Sequence, residues 1–297
     1  MKKPEISICG SAHRPQNWMD LYRSIGDNNI NFEVIFVGPN TPDFELPSNF
    51  KFIKSYTKPT QCVEIASRNT TADLIMQMAD DTEFRTKAPL DKLYNTYKSY
   101  NNDKLILSCR YMLNGIDQSR TEHHFFTYDR SSPVTPLSGL MSRKLYRDIG
   151  GIDRNFIAVM YEIDIAMRVL ALGGEVKLSD VYVDELKSKS AGSNLCGEFW
   201  SHDRKLLENL WSVDRKTHFN RTKPVEPFSN YKILEESQGP RGRWHGTSPV
   251  ILENLVDFLR PKLLRLNRVC RAIRNPTRYP NYAKRILKRI LHFPFFR

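Results

Sequence analysis

Two adjacent carboxylates, Asp80 and Asp81, close an apolar run made of Leu74, Ile75, Met76 and Met78. A strand that delivers Asp at its carboxyl end sets hard oxygen ligands at the edge of an open α/β sheet, where ligands usually bind. One or two carboxylates, completed by substrate phosphates, are how Mg²⁺ or Mn²⁺ is commonly held in phosphate-handling enzymes. Taken alone, the pair equally suits a turn or a helix cap. A second acidic pair, Glu162 and Asp164, opens a helical stretch, where the macrodipole favours negative charge whatever the function. His123 and His124 either line a pocket or sit solvated in a polar loop.

The elements that must position these groups follow from the pattern of apolar residues. Ile6 to Cys9 reads as a short buried strand that stops at Gly10-Ser11-Ala12-His13-Arg14-Pro15, and Asn17 to Ile25 as a helix. Phe32 to Val37 is a second strand closed by Gly38-Pro39-Asn40, and Lys51 to Lys54 a third. Gln61 to Asn69 is a helix, and Leu74 to Met78 the strand that carries the Asp pair. Strands this apolar, alternating with helices, predict an α/β fold with a mostly parallel central sheet covered on both faces. Further on, a helix over Ala88 to Tyr100, a strand over Lys104 to Cys109 and a polar stretch from Asn114 to Pro136 are expected. Leu137 to Ser142 leads into a helix over Lys144 to Ile149 that ends at Gly150-Gly151. A helix from Tyr161 to Leu172, a strand from Val176 to Val183 and a helix from Asp203 to Trp211 complete the series.

Composition bounds the rest. A chain of 297 residues can bury one large core and carry appendages. Cys9, Cys62, Cys109, Cys196 and Cys270 show no paired spacing, which argues against a disulfide framework or zinc site and for a reducing compartment. The start of the chain runs straight into a strand with no signal peptide, and no apolar stretch approaches a spanning helix. The net charge of +12 would suit nucleic acid if it were spread over the body. It is not: twelve Lys and Arg against two Asp and Glu lie from Val250 onward, leaving thirty-three against thirty-one in the remainder. No nucleic-acid partner is expected. Neither GxGxxG nor GxxxxGKS follows the first strand, so neither a standard dinucleotide site nor a P-loop is indicated.

In their order and spacing these pieces resemble the GT-A glycosyltransferases, and are most similar to those of family 2. Ala79-Asp80-Asp81 stands for the metal motif, Gly150-Gly151-Ile152-Asp153 for a later Gly-Gly-hydrophobic-Asp segment, and Tyr161 to Arg168 for the acidic helix start of the form Glu-Asp-x-Asp-x-x-x-Arg. The resemblance spans roughly Ile6 to Trp211. It implies a GT-A fold, a nucleoside-diphosphate sugar as donor, a divalent Mn²⁺ or Mg²⁺, and inversion at the anomeric carbon. By residue, it implies Asp81 as metal ligand, and Ser11, Arg14, Arg68 and Asp80 on the donor. Glu162 takes the place of the catalytic base with Asp164 in reserve, and Gly139 and Gly151 fall on the acceptor side. Three departures stand out: Ala79 replaces the first Asp, Gly38-Pro39-Asn40 stands where relatives carry an acid after the second strand, and Glu162 replaces an Asp.

The chemistry accounts for these residue types. A nucleoside diphosphate leaves only when its developing charge is neutralised, and an acceptor hydroxyl attacks only as a base takes its proton. Residues 1–220 are expected to form the catalytic domain, 221–249 a flexible loop or linker, and 250–297 a helical basic tail. In that tail Lys284, Arg285, Lys288 and Arg289 fall on one half of a helix and Ile286, Leu287, Ile290 and Leu291 on the other, the composition of an interfacial anchor. The expectation is a cytoplasmic enzyme held peripherally on an anionic membrane, acting on a glycan or lipid-linked acceptor. A sugar nucleotidyltransferase would want a glycine-rich basic loop after the first strand, and Gly10 to Arg14 matches poorly; a non-catalytic sugar- or membrane-binding relative is the other alternative.

Overall fold

The apolar run Ile6–Ser11 forms strand β1, buried along nearly its whole length, and everything else is laid against it. In the computed structural model the described residues are 2–113, 115–119, 134–185, 195–213, 219–225 and 227–229. The chain divides into two compact units, Met1–Gly239 and Pro240–Arg297, and all described residues belong to the first. The anchor expected at Lys284, Arg285, Lys288 and Arg289, the loop histidines His123 and His124, and the arginines beyond residue 240 lie outside the described residues.

After β1 come α1 (Pro15–Ile25), β2 (Phe32–Gly38), β3 (Phe50–Lys54), α2 (Pro59–Arg68) and β4 (Leu74–Gln77), in the expected order. Then follow β5 (Thr82–Phe84), α3 (Pro89–Tyr100), β6 (Leu105–Leu113), β7 (Ile116–Asp117), β8 (Gly139–Ser142), α4 (Arg143–Asp148), α5 (Tyr161–Ala171) and β9 (Glu175–Glu185). Helix α6 (Leu195–Leu210) and a hairpin of β10 (Trp211–Val213) with β11 (Phe219–Arg221) close the described chain. Helices α1, α2 and α3 each begin with proline in the first turn, where its missing N–H costs nothing.

Alternation along the strands sends residues to two separate cores. Ile6 and Ile8 face one side, with Trp18, Leu21 and Ile25 of α1 and Leu90 and Leu93 of α3. Cys9, Ile35 and Val37 face the other, against Cys62, Ile65 and Ala66 of α2. Helices therefore cover both faces. The Trp18 ring meets Phe36 edge-on with centroids 5.6 Å apart, an arrangement worth about 0.5–1.5 kcal/mol beyond the area buried. Nine of the ten α2 residues are buried, Thr60, Gln61, Glu64 and Ser67 among them, so its polar side is enclosed as well as its apolar one.

The strand order is β3-β2-β1-β4-β8-β6-β9-β5, with β7 paired to β6. The sheet is mixed, which corrects the expectation of a mostly parallel one: four pairings are parallel and four antiparallel. The parallel expectation holds for β3, β2, β1 and β4. Beyond β4 the chain inserts β8 backwards between β4 and β6, because β8 starts beside Ser108, already well along β6, and runs to the edge where β4 begins. Four residues long and opened by glycine, β8 carries too little apolar pattern to be read as a strand. The polarity of β1, β2 and β4 still defines one carboxyl edge, and the candidate groups converge there.

Candidate active site

β1 hands over to α1 through Ala12, His13 and Arg14, and the crossing is tight. A Cβ on Gly10 would stand 2.1 Å from the carbonyl oxygen of Met78, and one on Gly38 1.7 Å from that of Ala12. Ala12 N donates to the Val37 carbonyl at 2.9 Å, and the Asn40 amide to that of His13 at 2.7 Å. The carboxyl ends of β1, β2 and β4 are thereby drawn together. This supplies a reason for Gly38-Pro39-Asn40: no side chain fits at position 38, and Asn40 holds the loop.

Asp80 is the fixed point of the edge. Its Oδ2 accepts from the backbone N–H of His13 at 2.6 Å, from that of Arg14 at 2.7 Å and from Trp18 Nε1 at 3.4 Å. Its Oδ1 accepts from Arg14 Nε at 3.0 Å and Nη2 at 2.7 Å. Asp81, next in the chain, takes the remaining Arg14 nitrogen, Nη1, on its Oδ2 at 2.5 Å. One guanidinium thus bridges both carboxylates. Burial pushes the Asp81 carboxyl up to about 6; Arg14 works against that rise, and Asp80 and Glu185 add to it.

Across the edge stand residues that the sequence did not single out. The Tyr111 hydroxyl, near the end of β6, donates to Glu185 Oε2 at 2.6 Å at the end of β9. Burial and then the charge of Glu185, with lesser pushes from Asp81 and Glu162, hold that phenol well above its usual range. Glu185 alone bonds this tyrosine, and the charges of Asp81, in the turn after β4, and of Glu162, in α5, reach it from a distance. Glu185 could have been found by the rule that found Asp81, an acid at the carboxyl end of a strand.

Glu162 sits in the first turn of α5. Burial pushes its carboxyl up to about 7; its own N–H and Tyr161 work against that, and Asp203 adds to it. A carboxyl poised near neutrality is suited to taking a proton. The loop before it is fixed by Asp203 of α6. Its carboxylate accepts the N–H groups of Ile157 at 3.0 Å, Ala158 at 2.8 Å and Val159 at 2.9 Å, just before the left-handed Met160. No local pattern advertises this role of Asp203, because the N–H groups it holds lie more than forty positions away.

Asp164 is engaged differently. Its Oδ2 accepts from Arg168 Nε at 2.9 Å, and its Oδ1 from Trp211 Nε1 at 2.9 Å and Arg221 Nε at 3.0 Å. Arg221 also bonds Asp153, and Arg168 bonds the carbonyl of Ile149. The Gly-Gly-Ile-Asp segment and the acidic helix start are thus parts of one buried clamp, closed by Arg221. Fully held by cationic and indole donors, Asp164 suits a positioning role and not that of a base.

No family model matches the chain, and no curated protein matches it. Among solved structures there is a likeness. It is to TarS of S. aureus. The structure of TarS residues 1–349 aligns with a TM-score of 0.46 at 13% identity, over 60% of this chain and 60% of that one. The same piece in complex with UDP gives 0.46 at 12%, over 61% and 60%. A further TarS structure gives 0.47 at 12%, over 60% of this chain and 36% of that one. The present chain thus spans less than two thirds of the length of these structures.

Of the other residues expected in the site, Ser11 closes β1 at the carboxyl edge, and Gly139 opens β8 opposite Ser108 at the same edge. Arg68 does not reach it. Its Nε bonds Glu64 Oε1 at 2.6 Å, its Nη1 bonds the Phe228 carbonyl at 2.6 Å, and its guanidinium lies 4.0 Å from the centre of the Phe228 ring. The reason is topological: α2 runs back along the sheet, so its last turn lies near the start of β4, a full strand away from Asp81. Gly151 is also internal. At φ +73° it faces the Glu64 carboxylate, where a Cβ would meet both oxygens at 2.8 Å. Phe228 packs against the core, so the chain is docked well into the segment expected to be a linker. A cavity of about 470 Å³ lined by Arg147, Ile149, Trp211, Pro224 and Phe228 belongs to this far side.

Among the described residues, no group of three His, Cys, Asp or Glu gathers as a metal cage. The donor set still fits a divalent cation of the kind completed by substrate phosphates. Asp81 and Glu185 offer hard oxygens at the carboxyl edge, and a guanidinium already stands on Asp81 as a cation. Cys9, Cys62 and Cys109 are free and buried, and burial raises all three thiols. Among the described residues no helix is long and apolar enough to cross a membrane.

Proposed function

We propose that the chain is a GT-A glycosyltransferase that moves a sugar from a nucleoside diphosphate to a hydroxyl of a glycan or lipid-linked acceptor, with inversion. The observation that carries this reading is the guanidinium-bridged Asp80–Asp81 pair at the carboxyl edge, with the charges of Asp81 and of Glu162 both reaching Tyr111. The motif order from Ala79 through Arg168 supports it as well.

The loop from Ser11 to Arg14, fixed by Asp80, receives the diphosphate on the Arg14 guanidinium, since the N–H groups of Ala12, His13 and Arg14 are already taken by Val37 and Asp80. Asp81, with Glu185, would hold a divalent Mn²⁺ or Mg²⁺, which supplies neutralisation of the departing diphosphate. Glu162 takes the proton of the acceptor hydroxyl as that oxygen attacks the anomeric carbon, a contribution of typically ~10²–10⁴ in rate. Tyr111 orients Glu185, and Asp203 fixes the loop that aims Glu162. The twelve basic residues from Val250 onward support a cytoplasmic, peripheral seat on an anionic membrane, with Lys284, Arg285, Lys288 and Arg289 facing the lipid headgroups.

The test is incubation of the protein with a panel of sugar nucleotides and Mn²⁺, with and without chelator. Release of nucleoside diphosphate from one donor, increased by a glycan or polyprenyl-linked acceptor and abolished by E162Q, is the expected result. No turnover and no binding of any sugar nucleotide would refute the reading.

A further inference from the structure

We infer that Arg14 is a displaceable counter-ion. It holds Asp81 while the site is empty of donor, and turns from Asp81 to the diphosphate when the donor arrives with its divalent cation, staying anchored on Asp80 throughout. The inference rests on the reading above and adds to it an exchange of cations on one carboxylate.

The bonding is asymmetric in the way such an exchange needs. Two of the three guanidinium nitrogens, Nε and Nη2, are on Asp80, and only Nη1 reaches Asp81. Asp80 is also tied to the backbone of His13 and Arg14 and to Trp18, so it stays satisfied and in place if the guanidinium rotates. Asp81 Oδ2 has its cation from Arg14 alone among the contacts described, so a single exchange frees it. Arg14 keeps 18% of its side chain accessible at the edge, whereas Arg168 and Arg221, which close the structural clamp, keep 8% and 9%. The accessible guanidinium can turn toward a ligand, and the other two are committed to the core.

Charge supplies the drive. Asp80, Asp81 and Glu185 bring three negative charges to the edge, and Arg14 returns one positive. A diphosphate adds at least two more negative charges, so it is repelled while Asp81 holds the guanidinium's charge to itself. A divalent cation on Asp81 more than replaces that charge and releases Nη1, whose N–H groups can then meet phosphate oxygens while Nε and Nη2 stay on Asp80. The two events are therefore coupled. Cation binding promotes diphosphate binding and the reverse, by the same factor.

The experiment measures free Mn²⁺ by electron paramagnetic resonance over the full chain, alone and with UDP or GDP. The wild type should bind Mn²⁺ weakly alone and at least tenfold more tightly with the nucleotide it prefers. R14Q should bind Mn²⁺ at least tenfold more tightly than wild type without nucleotide, and gain much less from adding it. D81N leaves Arg14 on Asp80 and so preserves the loop. In chelator it should bind the nucleotide more tightly than wild type, because the carboxylate charge that draws Nη1 away from the diphosphate is gone. Equal Mn²⁺ affinity in R14Q and wild type, or weaker nucleotide binding by D81N in chelator, with nucleotide bound by the wild type in both cases, overturns the exchange and leaves the enzyme reading standing. Absence of any nucleotide binding to the wild type, with or without Mn²⁺, removes both.

Discussion

Arg221 Nε lies 3.0 Å from Asp164 Oδ1, on a carboxylate 57 positions earlier in the chain that Trp211 and Arg168 also hold. Trp211 and Arg221 are opposite each other in the β10–β11 hairpin, so the hairpin delivers both donors to one oxygen. Removing one member of a buried ion pair strands the other, at a cost of about 3–5 kcal/mol. Asp164→Ala and Arg221→Met should each lower the unfolding free energy in a urea titration by that order, seen as a lower midpoint with m unchanged. Their effects should combine to less than the sum, because the second substitution removes a charge the first had already orphaned. Loss of turnover with an unaltered urea midpoint would instead assign Asp164 to the chemistry.

Asp81→Ala should abolish Mn²⁺-dependent nucleotide binding and leave the fold intact. Burial raises this carboxyl to about 6, so the charged form is disfavoured where it stands and its removal does not threaten the core. Calorimetric titration with UDP or GDP and Mn²⁺, beside a thermal melt, checks both halves of the statement.

Glu162→Gln removes proton acceptance alone. Turnover should fall ~10²–10⁴-fold while nucleotide binding holds. In the wild type, turnover should rise with pH through about 7, as this carboxyl ionises. The stability consequence has the opposite sign. A carboxyl raised by burial stabilises the fold in its protonated form, fully below the unfolded value near 4.5, and loses that contribution as pH climbs through about 7. Glu162→Gln should therefore melt higher than wild type at pH 8 and level with it at pH 4.5.

Gly151→Ala and Gly26→Ala separate backbone strain from collision. Both glycines have positive φ, +73° and +62°, and with ψ −162° Gly26 stands where almost only glycine is found, so a side chain costs about 1–3 kcal/mol in strain. Nothing lies within 4 Å of a Cβ on Gly26, whereas one on Gly151 meets the Glu64 oxygens at 2.8 Å. The first change should cost only the strain; the second should cost clearly more in a denaturant titration and disturb the Glu64 bonds to Arg68 and Ile152.

Replacing Lys284, Arg285, Lys288 and Arg289 together by Gln should release the chain from vesicles that contain anionic lipid, at about 1 kcal/mol for each charge near the surface. Sedimentation of wild type and variant, with salt raised until screening lengths fall below ~10 Å, provides the measurement. Equal sedimentation at every salt concentration would remove the membrane reading.

The sequence by itself determined the layered α/β half and the address of the site. Burial on both faces makes β1, β2 and β4 continuous apolar runs, and a strand that ends in Asp80-Asp81 advertises its carboxyl end. Both signals are local, so they survive in one dimension. Glu162 was legible as an acid at the start of a well-patterned helix, while its part as a base was implied only by the family resemblance. Tertiary structure decided what these residues are bonded to. Arg68 reads like a donor contact because it lies in the helix before the strand that leads to Asp81, as the family resemblance implies, yet α2 runs back along the sheet and carries it to the opposite edge. Asp203, Glu185 and Arg221 bond partners 44 to 74 positions away, at separations that no short window can register. The bridging of Asp80 and Asp81 by Arg14 likewise depends on β1 and β4 lying side by side, a pairing made by the sheet and not by the chain.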